Sequence, residues 1–175
     1  MREKDEDAFE FIDAKSLEHL SYKQQLLYSE IREDLVEWLR EKGKNPKKHV
    51  GYEESNIRPL ARRIHQVLVY AWENDQPGLE ISQGLADQYL EALNRDEVVK
   101  NNGEPYTENG KKKFVHALKA YFRFQGREWE PSLTFGDNSG AGGSDPLYKH
   151  ERGHLLDAAL EYKSPPNYSN LSPQD

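Results

Sequence analysis

The sequence predicts an all-α protein, a bundle of four main helices with a tethered fifth near the C-terminus. Three observations lead there. Apolar residues recur at three- and four-residue spacings in separate runs, the period of an amphipathic helix. Residues that start or stop helices bracket those runs. No stretch alternates apolar with polar strongly enough to read as a strand, and no internal repeat is apparent.

The first helix is expected over Ser16 to Lys42, ended by Gly43 with Pro46 just beyond. Leu17, Leu20, Leu27, Ile31, Leu35, Trp38 and Leu39 form its apolar stripe. Such a helix would be about 40 Å long, more than a compact domain of this size needs for its own core. Residues 1–50 therefore read as a helical arm, either laid across the domain or packed on a second copy of the chain. Gln24 and Asp34 interrupt a strict heptad, which argues against a sustained coiled coil.

After a basic loop over residues 43–55, Asn56 caps a second helix that runs to Trp72, with Pro59 in its first turn. Ile57, Leu60, Ala61, Ile64, Val67, Leu68 and Ala71 are its buried face. Arg58, Arg62 and His65 form a basic ridge beside that face, with Arg63 elsewhere on the cylinder. The run ENDQPG makes a turn. Ser82 then caps a third helix to Arg95, with Leu85, Ala86, Tyr89, Leu90 and Leu93 inward and acidic residues outward.

The fourth helix is the most strongly patterned. Thr107 caps it, and Gly126 sits where a C-terminus wants a residue free to take positive φ. Phe114, Val115, Leu118, Tyr121 and Phe122 gather on one face, and Lys112, His116, Lys119 and Arg123 on the other. Lys111, Lys112 and Lys113 crowd its first turns, where free backbone N–H groups also favour an anion. Trp129 and Phe135 are expected to fold back onto the bundle. Composition then breaks at the linker GDNSGAGGSD, and Leu147, Leu155, Leu156, Ala159 and Leu160 mark a short final helix. The expected domains are the arm at 1–50, a core at 51–135, and a linker with the start of a missing further domain at 136–175.

The chain of 175 residues has no cysteine, so it has no disulfide framework and no thiolate metal site. No apolar run is long enough to span a membrane and no signal peptide opens the chain, so the expected compartment is the cytoplasm. The net charge of −7 is unevenly spread. Residues 41–65 carry +4 and residues 100–127 carry +5, while the three remaining blocks are acidic. A polyanion is met by a local patch, so the overall sign does not exclude one.

His150-Glu151-Arg152-Gly153-His154 spells HExxH, the core of a zinc hydrolase site. It has no later histidine to serve as third ligand, Glu161 falls too close, and the motif follows a glycine linker; accident is the better reading. No GxSxG, GxxxxGK[ST] or helix-opening GxGxxG is present, and no cofactor, metal or small-molecule substrate is expected.

The inward Ile64, Leu68 and Tyr70, the short helix ADQYLEAL, then Thr107 and the run KFVHALKAYF together resemble the tyrosine recombinase (phage integrase) family. The likeness is to its N-terminal core-binding, SAM-like helical domain of the haloarchaeal type, over about residues 52–135. The resemblance implies a domain that clamps duplex DNA at recombination half-sites while a separate C-terminal domain cuts and rejoins strands. None of that chemistry carries over, since no His-x-x-Arg occurs and Tyr162 and Tyr168 lie in no matching context. The expectation is a chain that binds DNA through Arg58, Arg62, His65, Lys111, Lys112, Lys113, His116, Lys119 and Arg123 and does not cut. Binding as a homo-oligomer on DNA, or self-association through the first helix with no DNA role, are the further partner readings.

Overall fold

A computed structural model of the chain describes residues 13–136. Its elements are α1 (Tyr22–Glu41), α2 (Glu54–Glu73), α3 (Gln83–Asn94) and α4 (Glu108–Phe124), with short 3₁₀ turns at Ala14–His19 and Pro46–Lys48. No strand forms among the described residues, so the fold is all-α there. The final helix expected after the glycine linker lies outside them.

The single long first helix is corrected. The chain breaks at the extended residue Leu20, and Ser21 starts α1 afresh. Ser21 accepts from the Gln24 backbone N–H while the Gln24 side chain accepts from Ser21 N–H, a reciprocal cap that SYKQ spells in the sequence. The buried face of α1 is also rotated from the expected stripe. Tyr28, Arg32, Leu35, Val36 and Leu39 point inward, Ile31 and Trp38 are half-buried, and Leu27 is exposed. α1 packs on both α2 and α4, so the segment read as an arm contributes to the same core as the rest.

α2 starts at Glu54, before the expected cap Asn56, and Glu53 stands at its N-cap without a side-chain bond. Pro59 is therefore inside the helix and not in its first turn. With no N–H to offer, it leaves the Ser55 carbonyl without its intrahelical donor. α3 and α4 start where expected: Ser82 Oγ accepts from Leu85 N–H and Thr107 Oγ1 from Gly110 N–H.

Three helices end in one way. Gln76 N–H returns to the Ala71 carbonyl, Glu97 N–H to Ala92, and Arg127 N–H to Phe122. In each case the preceding residue is left-handed, namely Asp75 (φ 57°), Asp96 (φ 55°) and Gly126 (φ 69°). Glycine was foreseen in this role only at 126; short aspartates also tolerate that conformation. α2 and α4 are the central pair, each packed on the other three helices. Tyr89, Phe114, Leu118, Tyr121 and Phe122 fill the interior, and Tyr121 Oη satisfies the Ile81 N–H at 3.0 Å. Trp129 and Phe135 are buried against this core, as their size predicts. No described helix is long and apolar enough to cross a membrane.

Candidate nucleic-acid interface

α2 and α4 run antiparallel. Tyr52, just ahead of α2, reaches α4 far along its length, where its hydroxyl meets His116 Nε2 at 3.2 Å and accepts from Arg123 Nη2 at 3.1 Å. Arg63, near the middle of α2, feels Tyr106, which precedes α4. The antiparallel pairing lays one flank of α2 along the polar flank of α4.

On that flank the cations converge. Lys113, His116, Lys119 and Arg123 are all exposed and step along α4 at three- and four-residue intervals, so each neighbours the next. His116 is held below its ordinary pKa first by burial, then by Arg123, Arg63 and Lys119. Three positive groups from two helices thus act on one imidazole. Arg63 is itself held down by burial, with Tyr106 opposing and Arg62 adding to the depression. This runs against the placement of Arg63 away from the ridge: it is the α2 residue that joins the two basic segments. The helical wheel marks it as polar, but only the antiparallel packing of α4 puts it on the shared side.

Arg58 and Arg62 are exposed on the outer side of α2, where with Arg63 they line a trough of about 1400 Å³. Lys112 is half-buried on α4, one turn before His116. No family model matches the chain, and neither does any curated protein or solved structure.

Two expected DNA contacts are removed from the surface. Lys111 is only 5 % exposed, with Nζ 3.0 Å from Asp96 and 3.6 Å from Glu108 and the Phe135 ring nearby. Its neighbour Lys112 is half-buried and Lys113 exposed, because successive helical residues are about 100° apart. Lys111 ties the left-handed turn after α3 to the start of α4.

His65 is likewise buried, stacked with Tyr28 and edge-on to Trp72. Ser16 gives its hydroxyl proton to the Asp13 carbonyl at 2.6 Å, so imidazole Nε2–H is the donor to Ser16 Oγ at 3.1 Å. Nδ1 then accepts from the Tyr28 hydroxyl at 2.6 Å. Burial, reinforced by Arg32 and opposed by Asp13, holds the imidazole down at about 4. Burial likewise pushes the Tyr28 phenol up to about 12, with Arg32 opposing. This neutral clip pins the 3₁₀ turn over α1 and α2 and has no face left for a phosphate.

Among the described residues no group of three or more His, Cys, Asp or Glu could hold a metal ion. The His150–His154 motif lies outside them.

Proposed function

We propose that the chain binds duplex DNA along the α4 ridge, as the non-catalytic N-terminal portion of a tyrosine recombinase. The observation that carries the reading is the Tyr52 hydroxyl joining His116 to Arg123, with His116 held below its ordinary pKa by burial and then by Arg123, Arg63 and Lys119. Lysines on a helical ridge are point charges suited to phosphates, and the acidic outer face of α3 leaves this side as the natural approach for a polyanion. Lys113, Lys119, Arg123 and Arg63 engaging about four phosphates give a slope of log affinity against log salt near −4.

The test is duplex binding titrated with salt, for the wild type and for Lys113→Glu with Lys119→Glu. Both lysines are exposed, so the fold tolerates the change. The reading expects binding to weaken strongly and the slope to fall by about 2. Unchanged binding would remove DNA from the ridge. Selection from a random duplex pool then tests the recombinase assignment, which requires enrichment of a half-site and fails if no sequence is enriched.

A second reading, self-association through the first helix, draws on the exposed Tyr22, Leu26 and Leu27 of α1. Sedimentation of the wild type against Leu26→Glu with Leu27→Glu decides it.

A further inference from the structure

One hydroxyl on the ridge is wired to two of its basic groups. Tyr52 Oη lies 3.1 Å from Arg123 Nη2 and 3.2 Å from His116 Nε2, with the phenol ring edge-on to the imidazole at 5.9 Å between centroids. The phenol is held there from behind. Tyr52 N–H bonds to the Leu39 carbonyl at 2.9 Å, and Gly51 passes too close to the Arg40 carbonyl to carry a side chain.

The chemistry of these groups sets the direction of the protons. A guanidinium has donors only, so Arg123 gives to the phenol oxygen. Among the described residues, Nε2 is then the one acceptor within reach of the phenol proton. The chain of bonds runs from Arg123 through Tyr52 and ends on the lone pair of a neutral imidazole. The surrounding charge agrees. Partial burial comes first in holding His116 below its ordinary pKa, followed by Arg123 of α4, Arg63 of α2 and Lys119 of α4. Lys112 and Lys113 stand one turn before it on the same helix. No carboxylate is among the groups acting on the imidazole, and α1, which also packs on α4, adds no charge to them.

An anion reverses that balance. His116, Lys119 and Arg123 are all exposed and neighbour one another along α4. Because Arg123 and His116 reach one oxygen, their tips are close enough for a single phosphate to touch both. A negative charge in contact favours the charged imidazole and multiplies its proton affinity by about tenfold or more. Protonation turns Nε2 from an acceptor, which repels a phosphate oxygen, into a donor. It also frees the phenol proton to point at the ligand.

We infer that the Tyr52–His116–Arg123 cluster is a phosphate site that takes up one proton together with its ligand, a backbone phosphate of the bound duplex. The proton comes from solvent and settles on Nε2; no bond to phosphorus forms or breaks. This rests on the duplex reading above and adds the proton as a co-ligand. Since the complex holds a proton that the free protein lacks, affinity rises as pH falls.

The experiment is fluorescence anisotropy of a labelled 12-base-pair duplex at constant salt between pH 8 and pH 6, where phosphodiesters do not titrate and His65 stays neutral. Wild-type affinity should rise about tenfold over that range, and the log–log salt slope should steepen by about 1. His116→Gln should flatten both responses. Tyr52→Phe keeps the ring but no longer favours the neutral imidazole, so its pH response should shrink. NMR of the His116 ring reads the proton directly, and its titration should move to higher pH when duplex is added. An unchanged titration overturns the inference. So does a full response in His116→Gln, which would assign the proton to an exposed histidine such as His19 or His49, or in Tyr52→Phe, which would leave the phenol out of the site. Duplex binding indifferent to pH sinks this inference alone, whereas no duplex binding at either pH sinks the reading beneath it.

Discussion

Acid should loosen this protein through His65 before it titrates most of the carboxylates. In the fold the imidazole is neutral, with Nδ1 accepting from Tyr28 and Nε2–H donating to Ser16. Protonation puts a hydrogen where Tyr28 must donate and a charge beside Arg32. The folded pKa is about 4 against the ordinary 6.5, so between those values the unfolded chain binds the extra proton. Stability is therefore whole above pH 6.5, drains as pH falls, and levels off for this group below about 4. The full loss is about 3 kcal/mol, at about 1.4 kcal/mol for each tenfold. With a urea m-value of about 2 kcal/mol/M, the midpoint should drop by about 1.5 M. Urea melts at several pH values between 7.5 and 4 would read this, for the wild type and His65→Gln. The variant is weaker at neutral pH but should show a flatter profile. Parallel profiles would refute the argument, because they would assign the acid sensitivity to other groups.

Other substitutions follow from close approaches and pairings. A Cβ on Gly51 would sit 1.6 Å from the Arg40 carbonyl oxygen, so Gly51→Ala must move backbone and should cost about 3 kcal/mol or more in urea unfolding. Gly84, in the first turn of α3, has only Ser82 Oγ at 4.0 Å from such a Cβ, and Gly84→Ala should stabilise by about 0.5–1 kcal/mol. Lys111→Met replaces a buried cation by a group of similar volume and should leave both stability and the salt slope of DNA binding nearly unchanged, whereas Lys111→Glu faces Asp96 and Glu108 and should unfold readily. A fall in the salt slope for Lys111→Met would return that lysine to the DNA surface.

The starts of α3 and α4 were legible because each rests on one local bond that a serine or threonine makes three residues ahead. Their inward faces were legible for the same reason, since a helical wheel needs no tertiary knowledge. The break at Leu20 was also written locally, as Ser21 with Gln24, but the apolar spacing runs straight across it and masks the cap. At this junction the chain follows the cap: Leu20 is extended, and the reciprocal Ser21–Gln24 bonds supply partners for backbone N–H groups that a helix beginning there leaves open. Gly43 shows a further limit. It was read as the residue that ends the first helix, yet its importance is spatial: a Cβ there would lie 2.7 Å from Leu39 Cα.

Surface charge was harder to read than the core. Lys111 and Lys113 are the same residue two positions apart, roughly 200° around the helix, and nothing in either side chain distinguishes them. What separates them is a left-handed aspartate at the end of α3 and the Phe135 ring brought back by the chain after α4. Arg62 and Arg63 divide in the same way, one toward open solvent and one toward α4. A wheel reports angle, while function depends on which neighbour occupies that angle. The two basic segments were visible as runs of charge; that Arg63 would join them, and His65 and Lys111 leave them, depended on contacts between residues far apart in the chain. Distance in sequence is therefore what hid the candidate site: Tyr52 and Arg123 meet through one phenol across 71 positions.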